Sequence, residues 1–188
     1  PYVGKSSLLK YFVGNVDDEN IICLYLNLDN KDFPFFFHKM TTSLLYNYAK
    51  QMRIQPQEDL DLLCLALREK IPQTIAVIHK IKTHLKQRKH AAAYLGLITL
   101  PDVFTNETSK FCVFILDEFQ NLESFNIPEA FVQLGQKIMT QKKCLYIVAS
   151  SQPKIASKIL TEKLSLLFGN FETSLLNKTF YGKNVSDL

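Results

Sequence analysis

Three short apolar segments, separated from one another by helical sequence, constrain the fold of this chain most. They are rich in strand-forming residues, as expected of strands that are buried on both faces of a sheet. Helices are predicted from about 32 to 52, from about 58 to 94 with an interruption near Pro72, and from about 129 to 140. Because strands joined through helices pair in parallel, we predict an α/β fold with a mostly parallel sheet, covered on both faces, in one domain over residues 1–188. The apolar segments are 21–28, 111–116 and 144–149.

The composition is that of one ordinary globular domain. The 188 residues are 47% hydrophobic and 21% charged, and the net charge of +4 is too small to indicate a polyanionic partner by itself. The cysteines form no close pair of the kind that zinc and redox sites use, which predicts small core residues in a reducing compartment. No apolar stretch approaches the ~18 residues that cross a bilayer, so we expect a cytoplasmic protein without a membrane partner. The cysteines are Cys23, Cys64, Cys112 and Cys144.

A glycine-lysine-serine triplet near the start of the sequence predicts a phosphate-binding loop. Such loops have the pattern Gly, four residues, Gly, Lys, then Ser or Thr, and Gly4, Lys5 and Ser6 match its last three positions. An apolar helical segment follows them, as the pattern requires. The first glycine would precede residue 1, so we expect the chain to begin inside the loop and to lack the strand that leads into it. An ordinary turn is the alternative interpretation.

Each residue of this segment has an expected role in binding ATP. Gly4 lets the backbone curl so that its amides point at phosphate oxygens. Lys5 would reach the β- and γ-phosphates and assist catalysis, while the Ser6 hydroxyl would bind Mg²⁺. Val3 and Ser7 complete the expected nucleotide-binding set.

The second apolar segment ends in two adjacent acids, Asp117 and Glu118. A buried strand that delivers a carboxylate to a metal at its C-terminal end is the Walker B pattern. We therefore expect Asp117 to hold Mg²⁺ and Glu118 to polarise the water that attacks the γ-phosphate. The alternative is a loop that happens to begin with two acids.

The third apolar segment ends in Ser150 and Ser151. Because the ends of neighbouring parallel strands line one crevice, a hydroxyl here could sense the γ-phosphate or orient water. We assign this catalytic role to Ser150, with Ser151 left open as the sensor. A helix N-cap for the segment from Gln152 onward is an equally good interpretation.

Together these segments resemble the archaeal-type ATPases of the AAA+/STAND group of P-loop NTPases. The resemblance implies a three-layer sandwich in which the sensor strand lies between the phosphate-loop strand and the Walker B strand. It also implies ATP with Mg²⁺ and a C-terminal helical lid. The segments that carry it are 3–9, 114–122, 148–151 and 167–171.

One position departs from the family pattern. The family usually has an arginine after a Phe-Gly or Tyr-Gly pair, where this chain has Asn170. An arginine there would neutralise charge that develops on the γ-phosphate. We therefore expect slow hydrolysis, or an oligomer or partner that supplies an arginine. The arginines of this chain are Arg53, Arg68 and Arg88.

Two functions follow from these expectations. The first is Mg²⁺-dependent ATP hydrolysis used as a conformational switch. The second is a nucleotide-dependent binding module with little hydrolysis, in which a basic amphipathic helix from His79 to His90 contacts DNA or an acidic protein partner. A solvated helix face is the alternative explanation of those basic residues, and the shortage of arginines disfavours a small-molecule kinase.

Overall fold

The computed structural model describes residues 4–55, 57–167 and 172. Its sheet consists of β1 (Ile21–Asn27), β2 (Phe111–Asp117) and β3 (Cys144–Ala149). These strands pair in parallel in the order β1-β2-β3, which confirms the predicted α/β fold with a parallel sheet. Each predicted apolar segment coincides with one strand, and the ends agree within one residue.

Helices connect the strands and make up most of the described chain. The predicted helices at 32–52 and 129–140 are α2 and α6, and the predicted stretch 58–94 is divided among α3, α4 and the start of α5. In the described part of the chain, no helix has the length and apolar character needed to span a bilayer. The helices are α1 (Lys5–Asn15), α2 (Phe33–Gln51), α3 (Leu60–Leu67), α4 (Pro72–Lys86), α5 (His90–Thr108), α6 (Ala130–Thr140) and α7 (Pro153–Lys158), with 3-10 helices at Phe119–Phe125 and Ser165–Leu167 and a π-helical turn at Ile159–Lys163.

Helix α5 is longer than the sequence pattern predicted. It continues past Tyr94 to Thr108 and contains Pro101 in its interior. A proline inside a helix removes one backbone hydrogen bond and is normally unfavourable. Leu97, Pro101 and Phe104 are buried, so the burial of this apolar helix offsets that cost.

One face of the sheet forms part of the core. The strand pairing puts Leu24, Phe114 and Tyr146 at matching positions on this face, and the first two are fully buried. These strand residues join the buried side chains of α2 to α6 in one hydrophobic cluster. Tyr94 connects α5 to α6 in this core, because its hydroxyl donates to the main-chain oxygen of Ala130 at 2.9 Å.

The opposite face of the sheet is more thinly covered. Helix α1 contacts β1 on this side, yet none of its residues is buried. Val113 and Ile115 in the central strand are still buried, whereas Leu145 in β3 is 48% exposed. Within the described residues, the predicted cover on both faces is therefore found over β2 and not over β3.

Candidate functional site

The candidate site lies at the carboxyl end of the sheet, where β2 ends at Asp117. The start of α1 reaches this point, so that Lys5 contacts a residue 112 positions away in the chain. Parallel pairing matches Asn27 at the end of β1 with Asp117, which brings the ends of the two strands to one edge. In open parallel sheets this edge is the usual place for a ligand.

Helix α1 begins with an uncapped N-terminus. Gly4 precedes it with φ 70° and ψ 5°, a left-handed conformation that glycine adopts without strain. The first helical hydrogen bond runs from the Leu8 N–H to the Gly4 oxygen at 2.9 Å, and within the described part of the chain no side chain caps the helix. The N–H groups of Lys5, Ser6 and Ser7 therefore lack acceptors within the helix. This positive end of a helix suits an anion such as phosphate.

The Asp117 carboxylate is completely buried and surrounded by hydrogen-bond donors. Its Oδ1 pairs with the Lys5 ammonium and accepts the Glu118 N–H at 3.1 Å. Its Oδ2 accepts the Ser6 hydroxyl at 2.6 Å and the Tyr25 hydroxyl at 2.7 Å. A buried charge is costly unless it is paired and hydrogen-bonded, and these four donors meet that requirement.

Glu118 has a left-handed backbone, with φ 55° and ψ 45°, between β2 and the 3-10 helix. For a residue other than glycine this conformation costs about 1 kcal/mol, and such strain is often found at functional sites. Its Oε1 accepts from the Lys5 ammonium at 2.9 Å. Its Oε2 accepts the Gln120 amide at 2.8 Å, and the Ser151 N–H and hydroxyl at 3.0 and 2.8 Å. The carboxylate is thus held by three other residues.

These contacts set the pKa of Glu118. Burial raises this pKa, but hydrogen bonds from Gln120, Ser151 and Lys5 outweigh burial and lower it to about 2. Glu118 is therefore ionised at neutral pH and, in this arrangement, a weak base. Loss of the Lys5 contact would raise the pKa, so the basicity of Glu118 depends on where the Lys5 ammonium lies.

The structure brings four of the residues singled out in the sequence into direct contact. Lys5, Ser6, Asp117 and Glu118 form one hydrogen-bonded group. The other three described candidates are adjacent in the sequence to residues that make these contacts or contact Glu118: Gly4 precedes α1, Ser7 is in its first turn, and Ser150 follows β3 and precedes Ser151. Val3 lies outside the described residues.

The two serines after β3 have different partners. The Ser150 hydroxyl accepts the Gln152 N–H at 2.9 Å, a local contact before α7. Gln152 is the N-cap residue of that helix and makes no side-chain cap among the described residues, so Ser150 does not act as the predicted N-cap. The hydroxyl and N–H of Ser151 both contact Glu118 instead. Of the two serines, the structure therefore links Ser151 to the acidic pair, although the sequence analysis gave this role to Ser150.

Tyr25 and Gln120 contact the acidic pair, and the sequence analysis singled out neither of them. Tyr25 precedes Asn27 by two positions in β1, so strand alternation puts it on the same face as Asp117. Only the pairing register of β1 and β2 reveals this proximity. Gln120 is 7% exposed, and its side-chain oxygen is buried without a hydrogen-bond partner among residues 4–55, 57–167 and 172.

The side chains at this site suit Mg²⁺ better than a metal that needs many protein ligands. Among residues 4–55, 57–167 and 172, no three His, Cys, Asp or Glu side chains are grouped so as to hold a metal ion. Magnesium with a nucleotide commonly takes one or two carboxylates and completes its shell with phosphates and waters. Asp117 and the Ser6 hydroxyl, which contact each other at 2.6 Å, fit that small donor set.

The predicted basic helix from His79 to His90 is not one helix. Helix α4 ends at Lys86, and Arg88 has φ 56°, a left-handed conformation that breaks the helix before α5 begins at His90. One cation of the segment is also paired with an acid from another helix, because Lys82 contacts Asp61 of α3. Exposed cations remain on this segment: Lys80, Lys86, Arg88 and Lys89.

Comparison of the chain with protein-family models, with curated proteins and with solved structures gave no match.

Proposed function

We propose that this chain binds ATP with Mg²⁺ at the start of α1 and hydrolyses it as a conformational switch. The observation that carries the proposal is the convergence of Lys5 and Ser6, at an uncapped helix N-terminus, on the buried Asp117 beside Glu118. Helix amides, a lysine, a hydroxyl and a carboxylate at a strand end are the groups that P-loop nucleotide sites combine.

The charges of the site support binding of a cation together with a polyanion. Asp117 and Glu118 contribute two negative charges, and Lys5 contacts both of them. When phosphates bind at the N-terminus of α1, Lys5 would exchange its carboxylate contacts for phosphate oxygens. A bound Mg²⁺ would supply the positive charge that Asp117 then needs. In the structure, Lys5 is thus the counter-ion of the acidic pair.

In the proposed hydrolysis, Glu118 accepts a proton from the attacking water. Release of Lys5 to phosphate removes one of the hydrogen bonds that lower the Glu118 pKa, which makes the carboxylate a better acceptor for a water proton. Gln120 and Ser151 would keep the carboxylate oriented during this exchange, because neither belongs to α1.

We also propose that the chain is similar in fold to the archaeal-type ATPases of the AAA+/STAND group. The β1-β2-β3 order puts β3 beside β2, which agrees with the position that a resemblance to the archaeal-type AAA+/STAND ATPases implies for a sensor strand. On that basis we propose a P-loop sandwich. Asn170 lies outside the described residues, so the idea that a partner supplies an arginine rests on the sequence alone.

The test of nucleotide binding compares Lys5→Ala with Lys39→Ala, an exposed lysine of α2 that serves as the control. Isothermal titration with Mg·ATP should show affinity at least about tenfold weaker in Lys5→Ala, since a charge-assisted contact contributes over 1.4 kcal/mol. Lys39→Ala should bind as the wild type does. Equal affinity in all three proteins would refute the site.

The test of hydrolysis is the turnover of ATP by Glu118→Gln. This change keeps the shape of the side chain and removes its charge. Turnover should fall on the order of 100-fold while Mg·ATP binding persists. If the wild type binds ATP and Glu118→Gln does not alter turnover, Glu118 has no role in the chemistry.

A second candidate is the nucleotide-dependent binding module with little hydrolysis. The low pKa of Glu118 favours it, as do the exposed cations Lys80, Lys86, Arg88 and Lys89. If these cations contact DNA phosphates, affinity for duplex DNA should fall steeply as salt is raised. Affinity that does not change with salt would exclude this mode of binding.

A further inference from the structure

Tyr25 contributes a hydrogen bond to the candidate site that no phosphate-loop or Walker pattern predicts. Its hydroxyl donates to Oδ2 of Asp117 at 2.7 Å. The ring is half-buried on β1, and the Lys10 ammonium lies over it, 5.4 Å from the centroid. The ring is therefore held between the sheet and α1, with its hydroxyl directed at a fully buried carboxylate.

The donors to Asp117 differ in what anchors them. Lys5 and Ser6 belong to α1, a helix without buried residues whose side chains the proposed ligands would recruit. Tyr25 belongs to β1, which pairs with β2 along its whole length. When Lys5 and Ser6 turn to phosphate and metal, Tyr25 is the remaining side-chain donor, among the described residues, that still holds Asp117.

We propose that Tyr25 is a positioning residue that orients the Asp117 carboxylate toward a nucleotide-bound divalent cation. This inference rests on the proposed function. Groups that hydrogen-bond to a metal-binding carboxylate fix its orientation, and their loss typically weakens metal binding by about 10- to 100-fold. Tyr25 thus affects the affinity for the cation and leaves the affinity for the phosphates unchanged.

The test is Tyr25→Phe, which removes the hydroxyl and keeps the ring under Lys10. Mn²⁺, a paramagnetic substitute for Mg²⁺, is titrated by electron paramagnetic resonance into protein that is saturated with a non-hydrolysable ATP analogue. Affinity for Mn²⁺ should fall about tenfold, while binding of the analogue without metal should be unchanged. Tyr11→Phe is the control, since the Tyr11 side chain is 64% exposed on α1.

The outcomes separate this inference from the proposed function. Wild-type affinity for Mn²⁺ in Tyr25→Phe, with normal analogue binding, would overturn the role of Tyr25 and leave the nucleotide site intact. An equal loss of metal-free analogue binding, together with a lower melting temperature, would make Tyr25 a structural residue and also overturn it. A wild-type protein that binds neither analogue nor Mn²⁺ would overturn both proposals.

Discussion

Helices α1 and α4 begin in the same physical situation and meet it in different ways. At the start of α4, the carboxylate of Glu107 on α5 accepts the N–H groups of Gln73 and Thr74 at 2.8 and 2.9 Å, and the Thr74 hydroxyl at 2.7 Å. At the start of α1, no side chain of the described residues accepts the helix amides. An internal carboxylate thus satisfies the positive end of α4, whereas the positive end of α1 suits an external anion.

The difference extends to how each helix is packed. Ile75, Ile78 and Ile81 of α4 are buried in the core, whereas α1 has no buried residue. The region around α4 therefore gains its stability from apolar burial and a completed helix end. The region around α1 instead presents polar groups: Lys5 and Ser6 contact the acidic pair, and the first helix N–H groups have no side-chain acceptor among the described residues. The comparison separates a structural part of the molecule from the part that we propose to be functional.

The largest expected effect tests this difference in packing. Ile78→Ala should lower the free energy of unfolding by about 2–5 kcal/mol, because it leaves a cavity at a fully buried position. Leu8→Ala in α1 removes a side chain that is 52% exposed, and should change stability by less than about 0.5 kcal/mol. Urea denaturation measures both. Similar losses would mean that α1 is as well packed as α4.

The next effect concerns the charges at the candidate site. Glu118 has a pKa of about 2 in the folded protein and an ordinary value of 4.5, so the unfolded chain takes up its proton first as the pH falls. The carboxylate should contribute on the order of 2 kcal/mol of stability above pH 4.5, which is lost as the pH falls toward 2.

Unfolding measured across that pH range should reveal this contribution as a steeper loss of stability in the wild type than in Glu118→Gln. Glu69→Gln, at an exposed position, should retain the wild-type slope. Identical slopes in all three proteins would show that Lys5, Gln120 and Ser151 do not hold the Glu118 charge in solution.

The smallest expected effect tests how much Glu107 stabilises the N-terminus of α4. Glu107→Ala removes the acceptor for two helix amides and one hydroxyl, and should cost about 1 kcal/mol of stability. Glu69→Ala should be close to neutral. If thermal denaturation showed the same melting temperature for the two variants, the Glu107 carboxylate would not stabilise the N-terminus of α4.

The strands and the central charged contacts could be predicted from local sequence. An apolar run that ends in acids marks a buried strand and its carboxyl end, which is why Phe111–Asp117 was placed with few errors. The pairing of Lys5 with Asp117 follows from the same two patterns, since both predict groups at one edge of a parallel sheet. The length of α5 was missed, because the part after Tyr94 is stabilised by burial of Leu97 and Phe104 in the core, which depends on tertiary packing.

The sequence by itself determined the α/β class and indicated which polar residues follow the strands and begin α1. Both depend on patterns of residues within a few positions of one another. The tertiary structure alone decided that Tyr25 reaches Asp117, that Ser151 contacts Glu118, and that Lys82 is paired with Asp61. Each of these contacts joins residues far apart in the chain. Strand register and helix packing set such distances, and no local pattern encodes them.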